Sequence, residues 1–485
     1  MLDFNNLNKY RENNRIEAKK AIGGLPRSIW ETYSAFANTF GGVILLGVAE
    51  NEKHTFEAID LPDPGRLIRE FWDIVNNPNK VSVNLLSAKD VYAGDADGKH
   101  IVVINVPRAD RSYRPVYIDG NPLNTYRRNG EGDYKCTKEE YQAMVRDASV
   151  KTQDMLVLDE MDFSVFNKES VHSYRRRMKL SRPGHVWEQL EDEDFLLKIG
   201  AVGIGEDGKK HPTSAGLLMF GNEYEIVREY NDYFLDYQEQ YDPQNRWTDR
   251  VISSSGDWSG NVYDFYFRVY NKLQQDIKTP FKLDGIVRVD DTPVHQALRE
   301  ALVNCLVNAD YYGRRGVVVI KKPDLITISN PGNLRIELQA ALSGGISDPR
   351  NSTMLKMFNF IDIGERAGSG IPNIFRVWKE QKWNAPTFTE AFDPDRITLL
   401  LPLSKTDDKK ATIKTDDKKP TIKSERQMNS IIEFLTDHPE GSVADFEVLL
   451  ELKPTRIKEL LKRMIDSGIV EAIGANRNRR YRLKR

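Results

Sequence analysis

The sequence predicts an α+β chain of several domains. An α+β domain covers 1–150, an α/β connecting module 151–285, an α/β sandwich 286–403, a charged linker 404–425, and a last segment of helices with a hairpin 426–485. Three observations predict this. Helical and strand-like hydrophobic periods alternate along most of the chain. The segment Thr406-Asp-Asp-Lys-Lys-Ala-Thr-Ile-Lys414 is nearly repeated as Thr415-Asp-Asp-Lys-Lys-Pro-Thr-Ile-Lys423 and has too few apolar groups to offset its ordering entropy. At 485 residues the chain is long enough for about three domains of ordinary size.

In the first domain, Ile29, Trp30, Tyr33, Phe36 and Ala37 lie at helical spacing, and Gly41-Gly42 ends that helix before the strand Val43-Ile-Leu-Leu-Gly-Val48. Further strands are expected at 81–86 and 101–107, with Asp95-Ala-Asp-Gly98 as a turn. The second region reads as helices at 171–180 and 187–199, the segment 213–221, and an aromatic-rich strand region at 224–241 that is assigned to core or interface packing. The third combines a helix at 293–307 with strands at 317–320, 325–329 and 397–402. The last has helices near 427–436, 443–450 and 455–467, then a hairpin at 468–483, which is a winged helix-turn-helix layout.

Lys+Arg 70 against Asp+Glu 72 leaves no net field to attract a polyanion, so a nucleic-acid partner needs a local basic patch, and the arginine-rich C-terminus supplies one. Only Cys136 and Cys305 occur, in no metal-like spacing, which fits a reducing compartment. The N-terminus has no basic segment followed by an apolar one, and no apolar run approaches the roughly 20 residues that span a bilayer. A cytoplasmic protein is expected.

The segments Glu300-Ala-Leu-Val-Asn304, Asn330-Pro-Gly332 and Gly364-Glu-Arg-Ala-Gly-Ser-Gly370 space a carboxylate, an amide and a glycine loop in order. Glu300, Asn304 and Asn308 follow one another at one helical turn, on one face. On these motifs residues 293–402 resemble, in divergent form, the Bergerat-type ATPase superfamily of type II topoisomerases, histidine kinases, mismatch-repair ATPases and heat-shock chaperones. The resemblance implies ATP with Mg²⁺ as cofactor. Asn304 would offer an amide oxygen to the metal, and Glu300 would position the attacking water of a slow ATPase. Asn330 and Gly332 stand where the family reads adenine with an aspartate, which is a departure. Gly364, Gly368 and Gly370 would let backbone N–H groups reach phosphates, with Arg366 adding a charge-assisted contact.

Glu17-Ala-Lys19, Ser34-Ala-Phe-Ala-Asn-Thr39, Gly41-Gly42, Gly47-Val48 and Tyr126-Arg-Arg-Asn-Gly130 make residues 9–135 similar to the Schlafen-type AlbA-like domain of bacterial proteins. The relatives that cut RNA use a carboxylate cluster on a divalent metal. The corresponding positions are Glu12, Glu17 and Glu50, which would hold Mg²⁺ or Mn²⁺, while Lys19, Arg127 and Arg128 would contact phosphates. In the C-terminal segment, Arg456 and Lys458 fall near the start of a helix that would enter a major groove, and Arg477, Arg479 and Arg480 fall in the wing.

The whole resembles bacterial proteins of AlbA-like, divergent-ATPase and winged-helix composition. The leading expectation is an ATP-controlled protein that binds DNA or RNA through its two ends and forms at least a dimer. The alternatives are a metal-dependent endoribonuclease licensed by ATP, directed at structured RNA such as transfer RNA in host defence, and a ligand-sensing transcription regulator without catalysis.

Overall fold

The computed structural model describes residues 7, 10, 12–51, 55–242, 244–275, 283–284, 287–288, 292–364, 369–392, 394–404, 430–432, 434–435, 438, 440–450, 452, 457–458, 460–461, 464–465, 469–473 and 480–483. Two compact units divide the chain, residues 1–406 and 407–485. It is a mixed α+β molecule with several sheets. Among the described residues no helix is long and apolar enough to cross a membrane.

The first unit begins with a four-stranded sheet. Ile16–Lys19 runs parallel to Gly42–Leu46, which pairs antiparallel with Lys99–Val106, and that strand carries Val91–Ala96 on its far edge. Both faces are covered. Ile44, Leu46, Val102 and Ile104 pack under the Ile29–Asn38 and Pro64–Val75 helices, whereas the alternate residues Leu45, Ile101 and Val103 meet Leu7, Val48 and Phe56. That double burial explains the unbroken apolar runs in the sequence. The helix stops where Gly41, at φ +69°, sends its N–H back to Phe36 O, and the Phe36 ring fills the space a Gly42 side chain would take.

The expected strand at 81–86 is absent. Val81 makes a single bridge to Ile118, and beyond it the Tyr33 hydroxyl donates to Val83 O and accepts from Leu85 N. A side chain satisfies the backbone there, so no ladder forms. The 224–241 region is also different from expectation. Glu223–Glu229 is a helix that buries Ile226, and only Leu235–Glu239 is a strand. Tyr230 and Tyr233 between them pack on Tyr311 and Tyr312 in the core. The expected 187–199 helix is a 3₁₀ turn, Val186–Gln189, followed by Asp192–Ile199.

A six-stranded sheet dominates the rest of the unit, in the order Asp249–Ile252, Leu235–Glu239, Val317–Lys321, Leu325–Pro331, Arg396–Pro402, Thr387–Ala391. Only the Leu235–Glu239/Val317–Lys321 pair is parallel. The sheet and its helices form one core running from Leu158 to Leu401. It therefore draws strands from both sides of residue 285, and the connecting module and the sandwich share one packing unit. In the second unit, Val443–Leu450 packs with Ile431, Ile457, Leu460 and Met464 beside an antiparallel hairpin of Val470–Ile473 and Arg480–Leu483, and Gly441 bridges to Tyr481.

Candidate functional site

The Pro293–Asn308 helix opens with Pro293 at its first position and places Ala297, Leu298, Ala301, Leu302 and Leu306 in the core. Its other side carries Glu300, Asn304 and Asn308 along one wall of a cleft. Asn304 Nδ2 donates to Glu300 Oε1 at 3.0 Å, and Asn308 Nδ2 donates to Asn304 O at 2.9 Å. The Gly370–Glu380 helix starts against Glu300, because a Cβ on Gly370 would fall 1.9 Å from Glu300 Oε1. The carboxylate thus lies at the positive end of an 11-residue helix, where negative charge is favoured.

The cleft is also lined by apolar Ile328, Ile374, Phe388 and Leu399 and by polar Asn330, Asn333, Arg335 and Asp348. Counted out into solvent at its open mouth, the cleft holds about 1020 Å³ of empty space. Asn330 is buried in the Leu325–Pro331 strand and donates to Pro331 O at 3.0 Å and Asn308 O at 3.5 Å. Gly332 sits at φ +99°, and a Cβ there would lie 2.5 Å from the Arg350 guanidinium. Gly364, at φ +79°, faces Val303 of the long helix. Arg366 and Gly368 lie outside the described residues.

Sequence reasoning missed Asn333, Arg335 and Asp348. Asn333 Nδ2 donates to Asp395 Oδ2 at 2.7 Å, while its Oδ1 is buried without a hydrogen-bond partner among the described residues. Arg335 Nε is in the same position, and burial brings this guanidinium down to about 10 against the opposing pull of Asp348 and Asp147. A motif search centred on Asn330-Pro-Gly332 stops one residue short of this Asn333-Leu-Arg335 stretch.

The N-terminal residues expected to meet nucleic acid are differently employed. Arg127 and Arg128 are only 4% and 2% exposed. Arg127 holds Asp395 with both Nη atoms, at 2.5 and 2.8 Å, and reaches Glu140 at 3.2 Å. Arg128 pairs with Asp133 at 2.9 Å and donates to Asn13 O. Neither is open to a phosphate backbone, which corrects the expectation. Lys19 Nζ donates to Glu17 Oε1 at 2.9 Å and to Ser28 Oγ at 3.2 Å.

Glu12, Glu17 and Glu50 do share an electrostatic field. The Glu12 carboxyl is raised above its usual range by burial, then by Glu17, with a smaller push from exposed Glu50, while Ala18 N, donating to Glu12 Oε1 at 3.1 Å, opposes the rise. Yet among the described residues no group of three or more acids, histidines or cysteines is placed to hold a metal ion. Glu17 faces two cations instead, Lys19 at 2.9 Å and Arg128, whose Nη2 lies 2.8 Å from Oε2 without hydrogen-bond geometry. Because a raised carboxyl pKa gives stability that is present at acid pH and lost as pH rises through the carboxylate range, Glu12→Gln is expected to be more stable than the parent at neutral pH. Urea midpoints should show that advantage vanish below about pH 4. A pH-independent difference would mean that the Glu12 carboxyl is not raised in the folded protein.

In the second unit Lys458 and Arg480 are exposed, with Arg480 Nε 3.6 Å from Glu440. Arg456, Arg477 and Arg479 lie outside the described residues.

Three family descriptions match the chain. Residues 12–137 match "Schlafen, AlbA_2", residues 142–236 a domain of unknown function, DUF8451, and residues 315–399 "Putative ATP-dependent DNA helicase recG C-terminal". No curated protein matches. Among solved structures, the DIP2311 protein from Corynebacterium diphtheriae is 14% identical, with 97% of this chain and 95% of that chain covered at a TM-score of 0.40. The N-terminal domain of a "Putative ATP-dependent DNA Helicase RecG-related Protein" from Nitrosomonas europaea is 33% identical, with 28% of this chain and 95% of that chain covered at a TM-score of 0.23. At those TM-scores neither likeness bears on the fold. The chain thus joins a segment similar to the Schlafen AlbA_2 family, at 12–137, to one similar to the C-terminal region of putative ATP-dependent RecG helicases, at 315–399.

Proposed function

We propose that this chain binds ATP with Mg²⁺ in the Glu300–Asn304 cleft and uses nucleotide occupancy to control binding of DNA or RNA. The observation that carries the reading is the convergence of three motif residues from two distant segments, Glu300 and Asn304 on one helix and Gly370 at the start of another, on one cleft lined by amides and apolar side chains. The donor set suits the ligand. Asn304 gives its N–H to Glu300, which leaves its amide oxygen, a hard donor, for the cation. When bound, Mg²⁺ neutralises phosphate charge. The apolar lining, with Ile328, Ile374 and Phe388, fits the face of a base, and Glu300, fixed by Asn304 and the helix end, is placed to orient water for slow hydrolysis.

The nucleic-acid half of the reading draws on the AlbA_2 match and on the C-terminal hairpin, where exposed Lys458 and Arg480 fit a winged helix that contacts DNA. The protein acts as a homo-oligomer, at least a dimer, in the cytoplasm. The N-terminal carboxylates are given no catalytic step, because Glu17 is already paired.

Calorimetry of Mg-ATP with intact protein and with Asn304→Ala is the test. The variant is expected to bind at least about tenfold more weakly, the loss of one charge-assisted contact. Equal binding by the two proteins would sink the site. Anisotropy of labelled duplex DNA and single-stranded RNA, with and without Mg-ATP, reads the coupling directly, and identical affinities would remove nucleotide control.

A further inference from the structure

We infer that two adjoining helices of the connecting module, Lys168–Ser181 and Val262–Leu273, carry a contact surface for single-stranded nucleic acid, apart from either end of the chain. This extends the nucleic-acid reading and does not depend on the nucleotide cleft. The first helix buries Ser170, Val171, Tyr174 and Met178, three or four residues apart, so Arg176, Arg177 and Leu180 are left facing solvent. Side chains tie the second helix beside it. Ser170 Oγ donates to Asp264 Oδ2 at 2.7 Å, and Ser173 Oγ lies 3.1 Å from the Tyr263 hydroxyl oxygen. One turn further along each helix, the Arg177 guanidinium lies 3.6 Å from the centre of the half-buried Phe267 ring. Arg268, next in the chain, lies over Trp258 at 5.2 Å.

Charge marks this surface. On one flank of the first helix Arg175 pairs with Asp192 and Lys179 with Glu188, which offsets those acids. Asp264, one turn before Arg268, accepts from Ser170 and Ser259. Arg176, Arg177 and Arg268 are exposed, and among the described residues none of them has a carboxylate within ion-pair distance. Cations left uncompensated on neighbouring turns attract a polyanion. Two of the three rest on aromatic rings, so they lose less side-chain freedom when they fork onto a phosphate. The apolar area beside them decides between strands and duplex. Leu180 is 76% exposed, and Phe267 and Trp258 are only half-buried. Such surface suits bases with open faces, which a single strand offers and a duplex keeps stacked inside.

The test is fluorescence anisotropy of a labelled single-stranded RNA, a single-stranded DNA and a duplex of equal length, titrated with the full chain over a series of salt concentrations. The triple variant Arg176→Gln, Arg177→Gln, Arg268→Gln is expected to bind the single strands about 10- to 100-fold more weakly at 0.1 M salt. Its slope of log affinity against log salt should flatten by about 2, from three phosphate contacts at about 0.7 each. Arg176→Gln and Arg268→Gln, made singly, should each flatten the slope by about 0.7, and they carry the test if the triple variant unfolds. Arg228→Gln removes an exposed charge of the same module that is already paired with Glu225 at 2.6 Å, and should change nothing. Parental affinity and slope in the triple variant overturn the surface, as does an equal loss in Arg228→Gln. A loss confined to the duplex overturns the choice of single strands. If intact protein binds none of the three probes, the nucleic-acid half of the functional reading fails along with this surface. If it binds them and the arginine variants match it, that reading stands and this surface alone falls.

Discussion

Arg350→Met is expected to destabilise the 1–406 unit by about 3–5 kcal/mol at neutral pH, the usual cost of stranding one partner of a buried ion pair. Arg350 is 6% exposed and meets Asp147 through Nε at 2.8 Å and Nη2 at 2.7 Å. The same guanidinium donates to Asn308 O at 2.5 Å and Asn333 O at 3.2 Å. Methionine fills much of the volume but takes the Arg350 donors away from the Asp147 carboxylate and the Asn333 carbonyl, and leaves Asn308 O with the 3.5 Å contact from Asn330. The pH dependence separates this from simple loss of packing. Burial pushes the Asp147 carboxyl up, but Arg350, with help from Arg335 and Arg114, outweighs it and holds the group below its usual range. A depressed carboxyl contributes stability above the unfolded value that is lost as pH falls through the folded one. In the variant only Arg335 and Arg114 are left to oppose burial, so the depression is lost and the protein gives up less stability as pH falls. Urea denaturation at a series of pH values should therefore show the gap narrowing from pH 7 towards about pH 3. A constant gap would mean that Asp147 is not what the arginine supports.

Gly370→Ala should do the opposite, sparing the fold and removing function. Glycine in a helix costs about 1 kcal/mol relative to alanine, so on propensity alone the change stabilises. Here the new Cβ would fall 1.9 Å from Glu300 Oε1, the end of a side chain that can swing away. The displaced carboxylate loses its Asn304 hydrogen bond and its place at the helix end. If Glu300 orients water on a nucleotide, turnover is expected to fall about 100-fold, as misplacement by an ångström commonly does, with the urea midpoint unchanged or higher. A double-mutant cycle with Glu300→Ala checks the cause, since Gly370→Ala should add almost nothing once the carboxylate is gone. Full turnover in Gly370→Ala would show that Glu300 has no such role.

What could be read in the sequence was local. The turn spacing of Glu300, Asn304 and Asn308, the glycines after Phe36 and the paired C-terminal strands all follow from neighbours within a few residues. Arg127 and Arg128 read as phosphate contacts because their environment is not local. The acid that holds Arg127 lies 268 residues away, and the one that holds Arg108 lies 282 away. The same distance hid Asn333, whose amide is held by Asp395, 62 residues on. At 81–86 the alternation suited a strand, and one distant hydroxyl, that of Tyr33, decided otherwise. The aromatic run 224–241 misled through composition, since Tyr230 and Tyr233 pack on other tyrosines rather than across a ladder.

The parallel pairing of Leu235–Glu239 with Val317–Lys321 has a consequence for biosynthesis. About 80 residues separate the two strands, so a ribosome adding roughly 5–20 residues per second leaves the first waiting on the order of 4–16 s for the second. During that interval its only sheet partner is Asp249–Ile252, and its other edge shows a row of unmet N–H and C=O groups to every nascent chain nearby. The cell must shield that edge until residue 321 has emerged, so expression at a slow elongation rate without chaperones is the condition under which this chain is most exposed to aggregation.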